Sequence, residues 1–337
     1  MTAALLVRAL ADPATTAGLS PNGWTALLCA ARAEQMAGTL ADRLDGQPVP
    51  AEVAAILAAA RISAEEARRA ALWEAEMARR ALAPLAVPLV LLKGTAFAAA
   101  DLDAARGRAI GDLDILVPRD RLDAVEAALI SAGWEWVKDD PYDQLYYRRW
   151  MHELPPLIHR ARDRMIDVHH TILPPTARPK PCADLLIAEA RPIESGLPVL
   201  HPADMIVHAA AHLFADGDLA GGLRNLWDID RLLRQLRTDP AFDIELRERA
   251  MAHDLVPHVA RALRLSASLY GTPVDAALAG RARPADRLYR RRLLARDGWG
   301  RATRPATRLA FYVRSHAIRM PPAMLARHLW IKWRKAG

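Results

Sequence analysis

Two aspartates in the segment RAIGDLDILVP, residues 108–118, stand one residue apart inside an otherwise apolar run. Burying unpaired charges among apolar side chains is costly, so Asp112 and Asp114 need a compensating partner. A glycine before the run, a proline after it and β-branched residues within it predict a strand. Side chains two apart on a strand point to the same face, and two convergent carboxylates suit Mg²⁺, which prefers oxygen ligands.

The same spacing recurs at Asp228 and Asp230 in the segment GGLRNLWDIDRLLRQL. Apolar residues recur there at three- and four-residue steps, which predicts a helix. Residues two apart on a helix diverge by about 200° around its axis. This second pair is therefore expected to cap a helix, to pair with arginines or to reach the site singly, and not to bind one ion together.

A third carboxylate is expected in MIDVHH, residues 165–170. Ile166 and Val168 would face the core of a strand and leave Asp167 on the opposite face. Two-metal nucleotidyl transfer usually needs a third carboxylate to help activate the attacking oxygen, and Asp167 is the best candidate. The alternative is that Asp167 only accepts N–H bonds from a neighbouring loop. His169 shares the face of Asp167 and is a weaker candidate for a role in the site.

The segment LLKGT, residues 91–95, follows a predicted strand and opens a predicted helix. Backbone N–H groups at such a turn can meet a triphosphate. Lys93 or Arg108 is then expected to neutralise phosphate charge. The alternatives are an ordinary solvated lysine for Lys93 and a structural ion pair with Asp112 for Arg108.

Other metal-ligating residue types carry weaker signals. His208 and His212 are four residues apart and would share a helix face, but HAAAH lacks the glutamate of the metalloprotease pattern H-E-x-x-H. A packing role is therefore favoured over zinc. Cys29 and Cys182 are the only cysteines, which provide neither a disulfide framework nor a zinc knuckle and fit a reducing cytoplasm.

The order of predicted elements indicates an α+β protein. Residues 1–83 are expected to form an N-terminal helical region, residues 84–175 a mixed α/β core, and residues 176–337 a C-terminal helical region in which helical periodicity resumes near Pro202. Strands within the core are expected in VPLVLLKG, GDLDILVP, WEWVKD, DQLYYRRW and RMIDVHHTIL.

Bulk composition predicts a cytoplasmic globular protein. The chain has 337 residues, of which 52% are hydrophobic. Its first residues show no basic segment followed by a long apolar one, so no secretory signal is expected. The longest charge-free apolar run lies between Arg80 and Lys93, which is too short for a transmembrane segment.

The net charge of +7 is distributed unevenly. Residues 281–337 hold 16 Lys and Arg against two acids, whereas the other 280 residues hold 30 bases and 37 acids. Such a basic tail suggests an anionic partner, which would be nucleic acid, a membrane surface or the acidic body of the protein itself. In the last segment, tryptophans alternate with basic residues, a pattern that also suits an anionic partner: Trp330, Lys332, Trp333, Arg334 and Lys335. The alternative is that the two tryptophans anchor the final helix in the core.

Several of these segments together resemble a known family. LLKGTA, RAIGDLDILV and MIDVHH, followed by PADMIVHAAAHLF and LRNLWDIDRLL, are similar to the uncharacterised nucleotidyltransferase family of the polymerase-β-like superfamily. The resemblance extends over residues 85–235. It implies a polymerase-β-like nucleotidyltransferase core, a small mixed sheet with helices, between the two helical regions.

The resemblance also implies residue roles. Asp112 and Asp114 would be metal ligands, with Asp167 as the third carboxylate. Gly94 and Thr95 would occupy the superfamily's G-[GS] turn, which positions the nucleotide phosphates. Two departures concern this turn: threonine replaces serine, and 16 residues separate Thr95 from Asp112, a longer gap than is usual.

These observations together predict an enzyme that uses Mg²⁺ or Mn²⁺ to move a nucleoside monophosphate from an NTP, such as ATP, to an unidentified hydroxyl acceptor. The catalytic and metal-binding set is Asp112, Asp114 and Asp167, and the nucleotide-binding set is Lys93, Gly94, Thr95 and Arg108. One alternative is a non-catalytic protein of the same fold whose basic tail binds nucleic acid or a membrane. Another is a toxin–antitoxin enzyme that nucleotidylates RNA or protein.

Overall fold

The computed structural model describes residues 3–194, 196–239, 241–320 and 325–326. Seven strands form one mixed sheet between helical regions, which confirms the expected α+β class with flanking helices. The strands are β1 Val90–Leu91, β2 Asp112–Leu116, β3 Trp134–Trp136, β4 Leu157–His159, β5 Met165–His169, β6 Arg191–Pro192 and β7 Pro198–Val199.

Helices account for most of the remaining chain. Those before the sheet are α1 Ala3–Ala11, α2 Pro21–Ala33, α3 Ala37–Arg43 and α4 Ala51–Leu82. Those interleaved with strands are α5 Lys93–Ala99, α6 Leu122–Ser131, α7 Pro141–Trp150 and α8 Ala183–Ala188. Those that follow are α9 Pro202–Ala211, α10 Gly222–Leu236, α11 Ala241–Ala252, α12 Val256–Tyr270, α13 Ala276–Ala279, α14 Pro284–Leu293 and α15 Pro305–Arg319.

The strand order in the sheet is β3-β4-β5-β2-β1-β7-β6. The central strands β2 and β5 are parallel, and Asp114 lies directly opposite Asp167 in their register. Ile115 and Val168 are likewise opposite each other, and both are buried in the core. Because side chains alternate along a strand, the register that buries the apolar residues also brings the two aspartates to one face.

Most of the expected strands are present, but one prediction is wrong. DQLYYRRW belongs to helix α7, whereas its aromatic residues had favoured a strand. Asp140 caps this helix by accepting a hydrogen bond from the Asp143 backbone N–H at 2.9 Å, and Pro141 occupies the first helical turn. This local start signal outweighs the strand preference of the aromatic residues.

Two short strands were not predicted. Strands β6 and β7 come after residue 175, and β7 pairs in parallel with β1. The sheet therefore includes backbone from beyond the segment 84–175, and the proposed division into three regions stays a prediction.

No helix in the described ranges is both long and apolar enough to span a membrane. The aromatic and basic residues of the last segment, from Trp330 to Lys335, lie outside the described residues. The role suggested for the basic tail stays a prediction.

Helix α3 and the loop before β2 meet backbone to backbone at Gly38 and Gly107. A Cβ atom on Gly38 would lie 2.5 Å from the Gly107 carbonyl oxygen and 2.7 Å from the Cβ of Ala64 on α4. Gly107 itself has a φ of +64°, a conformation that favours glycine. This contact holds the N-terminal helices against the loop that leads to Asp112.

A buried ion pair fixes the same loop from the other side. Arg108 is 6% exposed, and its Nη2 lies 3.1 Å from Oδ2 of Asp228, which is 3% exposed and belongs to α10. Asp230 on the same helix pairs separately with Arg234, at 2.8 Å. Helix α10 thus separates its two aspartates, as expected, and Asp228 ties the C-terminal region to the loop.

Replacing Gly38 by alanine should destabilise the protein, because the added methyl group has no space between α4 and the loop. We expect a loss of about 1–3 kcal/mol in the free energy of unfolding, measured with urea. Gly111→Ala is the matched control, since a Cβ there meets no atom within 4 Å. Equal stability of the two variants would contradict a tight contact at Gly38.

Asp228→Asn should leave the buried guanidinium of Arg108 without a counter-charge. We expect a cost of about 3–5 kcal/mol in denaturant unfolding. The double variant Arg108→Met/Asp228→Leu removes both charges and should recover most of that loss. A single variant as stable as wild type would show that the pair does not hold the loop.

Candidate active site

Three carboxylates converge at the centre of the sheet. Asp112 and Asp114 come from β2 and Asp167 from β5, and one oxygen from each lies within 4.8 Å of the others. Asp112 is exposed at the start of its strand, Asp114 is buried and Asp167 is half-buried. The alternation predicted for MIDVHH is confirmed, because Ile166 and Val168 are each 1% exposed on the opposite face.

Asp114 has two cationic neighbours. The Nζ of Lys93 lies 2.6 Å from its Oδ1, and the Nε2 of His169 lies 2.9 Å from the same atom. Burial by itself would raise the pKa of Asp114, but these neighbours hold it well below its usual range. Burial would lower the pKa of Lys93, yet Asp114 raises it above its ordinary value. Asp114 is therefore ionised.

Asp167 has the opposite electrostatic balance. Its Oδ1 is buried and has no hydrogen-bond partner among the described residues. Burial raises the pKa of Asp167 to about 7, and the nearby carboxylates of Glu153 and Asp114 add to the effect. A nearby positive charge would stabilise the ionised form of this buried carboxylate.

This arrangement fits a hard divalent cation. Carboxylate oxygens are the protein ligands that Mg²⁺ and Mn²⁺ prefer, and all three side chains offer them. The Oδ1 of Asp167, which has no hydrogen-bond partner among the described residues, is available as a metal ligand. Asp114 can also contribute a ligand, because both hydrogen bonds of its carboxylate within the described chain involve Oδ1, which leaves Oδ2 available.

A second group of polar residues lies behind Asp114 and was not anticipated from the sequence. The Oε2 of Glu153 is 3.5 Å from the Nε2 of His169 and 3.7 Å from that of His152. These three residues also offer ligand atoms within 4.8 Å of one another. Burial raises the pKa of Glu153 and lowers that of His152. The group helps to hold His169 against Asp114.

No local pattern reveals this second group. His152 and Glu153 reach the site because their segment runs beside the end of β5, where His152 O accepts from the His170 N–H at 2.9 Å. Such pairing is tertiary and has no periodic signature in MHELPP. Only the position of His169, on the face of Asp167, was readable from strand alternation.

The four residues expected to bind nucleotide are already engaged with the protein. Lys93 pairs with Asp114, and Arg108 pairs with Asp228 rather than with Asp112. Thr95 is 1% exposed, and its hydroxyl lies 3.5 Å from the backbone oxygen of Asp112. A Cβ on Gly94 would lie 2.3 Å from the Nη1 of Arg108, so this glycine lets the guanidinium pack on the turn.

Two cavities lie beside the carboxylates. The first, here called the inner cavity, has a volume of about 40 Å³, and its lining includes Lys93, Arg108, His208 and His212. The second, here called the Asp112 groove, has a volume of about 630 Å³ and lies between the N-terminal helices and the loop before β2. Arg224 of α10 lines both.

The two histidines of HAAAH do not join a metal cluster. Neither belongs to the groups of described residues whose ligand atoms are close enough to share an ion. Burial lowers the pKa of His208 well below its usual value and that of His212 to about 3, with Lys93 adding to both effects. Both are therefore neutral, and they pack beside the inner cavity.

The site can now be set beside known proteins. A search of curated proteins finds no match. A family model described as an uncharacterised nucleotidyltransferase matches residues 20–271, which is most of the chain and includes all three carboxylates. The chain belongs to the uncharacterised nucleotidyltransferase family.

Proposed function

We propose that this protein transfers a nucleoside monophosphate from an NTP to a hydroxyl acceptor and that it needs Mg²⁺ or Mn²⁺ to do so. One observation carries the proposal. Three carboxylates from two parallel strands bring oxygens within 4.8 Å of one another, and Asp167 among them has a buried oxygen, Oδ1, with no hydrogen-bond partner among the described residues. Membership of a nucleotidyltransferase family supports transferase chemistry.

Asp112, Asp114 and Asp167 are the residues that would hold the metal. When bound, the metal would supply positive charge for the α-phosphate and for the leaving pyrophosphate. Lys93 and His169 fix the carboxylate of Asp114 from two sides, so its orientation is set before substrate arrives. Preorganised ligands need little rearrangement when charge develops in the transition state.

Asp167 has a second role in the proposed reaction. The acceptor hydroxyl oxygen forms a bond to the α-phosphorus, the bond to the pyrophosphate oxygen breaks, and the hydroxyl proton must leave. Asp167 would orient that hydroxyl and take its proton, because burial and the nearby carboxylates raise its pKa to about 7, which suits a general base. Pyrophosphate departs with the electron pair of the broken bond.

Asp167→Asn tests the cost of keeping this carboxylate. Without metal, the variant should be more stable than wild type by about 1–2 kcal/mol near pH 8, because a buried carboxylate has been removed. Between the ordinary carboxyl pKa and about pH 7 the native state keeps a proton on Asp167 that the unfolded chain has lost, and above pH 7 the native state must hold the buried carboxylate ionised. The gain should therefore shrink as the pH falls toward the ordinary carboxyl range.

Thermal unfolding with and without Mn²⁺ completes the test. Mn²⁺ should stabilise wild type and should have no such effect on Asp167→Asn or Asp112→Asn. Asp120→Asn, which changes an exposed aspartate just after β2, should respond like wild type. An equal response of all four proteins to Mn²⁺ would place the ion elsewhere.

Transfer itself is measured by incubating the protein with each α-³²P-labelled NTP, Mg²⁺ or Mn²⁺, and cell extract. We expect covalent label in one fraction, with the rate reduced about 100-fold or more in Asp114→Asn because the metal and its positioning are lost. Asp120→Asn should label as efficiently as wild type.

The fraction that carries label identifies the acceptor. Label in RNA or protein would indicate an enzyme of the toxin type, and label in small molecules a metabolic one. Stabilisation by Mn²⁺ and NTP without any labelled product would instead support the non-catalytic alternative and remove the proposed function.

A further inference from the structure

We propose that the triphosphate binds in the Asp112 groove, on Arg224 of α10 together with Arg32 of α2, and not on Lys93 or Arg108. The inference rests on the proposed function, because it names where the nucleotide of that reaction lies. It also replaces the phosphate contacts expected from the sequence, Lys93 and Arg108, with two other arginines.

The two cations expected to bind phosphate are already paired with carboxylates. Lys93 has Asp114 at 2.6 Å, and Arg108 has Asp228 at 3.1 Å, both inside the protein. Releasing Arg108 to a phosphate would leave the buried Asp228 without its counter-charge, and releasing Lys93 would leave the buried Asp114 with His169 alone; both changes are costly. Gly94 packs against the guanidinium of Arg108, so the turn is covered on that side.

The two cavities differ in the space that they offer to a ligand. Sites for small molecules and cofactors usually have volumes of about 300–1,000 Å³. The inner cavity, at about 40 Å³, is far below this range and has room for little more than water. The Asp112 groove, at about 630 Å³, lies within it and includes Asp112, one of the three converging carboxylates, in its lining.

The guanidinium groups that line the Asp112 groove have no carboxylate partner among the described residues. An Nη1 atom of Arg224 donates to the Ala109 carbonyl oxygen at 3.0 Å, and no carboxylate in the described chain pairs with this guanidinium. Burial lowers the pKa of Arg224 to about 10, which still leaves it charged at neutral pH. Arg32 also lines the groove and has no carboxylate partner among the described residues. Asp112 is the one acidic residue in the described lining.

Arginine suits a polyphosphate better than a single point charge does. Its planar guanidinium can donate two parallel hydrogen bonds to phosphate oxygens, and such charge-assisted bonds are among the strongest in proteins. The Ala109 contact occupies Nη1 of Arg224 and fixes its direction. Phosphates held there would lie beside Asp112, where the proposed metal also belongs.

The lining indicates which part of the nucleotide is recognised. No aromatic side chain is among the described residues that line the groove, and most of those residues are alanine or glycine. Bases are commonly held by stacking on aromatic rings, so this groove offers the base little. Binding should therefore depend on the phosphates, and inorganic tripolyphosphate is a suitable probe.

The test is calorimetric titration of the full chain with tripolyphosphate in the absence of divalent metal. We expect one site in wild type, weakened about tenfold or more in Arg224→Gln and about threefold in Arg32→Gln. Asp112→Asn should bind more tightly, because it removes a negative charge beside the anion. Arg69→Gln, at an exposed position on α4 outside the groove lining, should bind like wild type.

Arg32 and Asp112 are exposed, so their variants test the site even if Arg224→Gln fails to fold. Binding that is absent from wild type, or unchanged in Arg32→Gln and Asp112→Asn, would overturn the inference. So would the same loss of binding in Arg69→Gln, since that result indicates general attraction to a basic surface.

The outcome separates this inference from the proposed function. If wild type transfers label and Arg224→Gln keeps the same KM for NTP, the proposed transfer activity is correct and the triphosphate binds elsewhere. If tripolyphosphate binds as expected but no labelled product forms with any NTP, the groove is a polyphosphate site and the proposed transfer is wrong.

Discussion

A carboxylate that is only 3% exposed must be neutralised within the fold, and Asp114 meets this requirement through two cations from separate elements. Lys93 reaches it from the start of α5, and His169 reaches it from the end of β5. Lys93 is partly buried and His169 is buried, and in each case the interaction with Asp114 raises the pKa against the effect of burial. These contacts link the start of α5 and the segment around Glu153 to the centre of the sheet.

The same principle explains how the outer regions attach. Arg108, in the loop before β2, forms an ion pair with Asp228 on α10, so this C-terminal helix is fixed relative to β2. On the other side, two glycines allow α3 to approach the loop until backbone touches backbone. The loop before Asp112 is therefore held by a charge pair on one side and by close packing on the other.

Local signals in the sequence were enough for β2 and β5. Alternation, a flanking glycine and a proline placed Asp112, Asp114 and Asp167 correctly on strands, and strand geometry then required their convergence. The contrast between DLD on a strand and DID on a helix was also readable, since it depends only on periodicity.

What could not be predicted depends on contacts distant in sequence. The partner of Arg108 lies 120 residues away, and the helix that carries it had no visible link to the loop. Glu153 enters the site only because its segment pairs beside β5. Helix α7 was wrongly predicted as a strand for a different reason, because its start signal, the cap at Asp140, lies before the segment DQLYYRRW.

Strand β7, which lies beyond residue 175, pairs with β1 and covers its outer edge. A fragment restricted to residues 84–175 would leave β1 as an uncovered edge, with its N–H and C=O groups open to strands of other molecules. It would also leave Arg108 as a lone cation on an exposed apolar surface. Excision would therefore be expected to yield aggregates, and the minimal unit for biochemistry extends at least through α10.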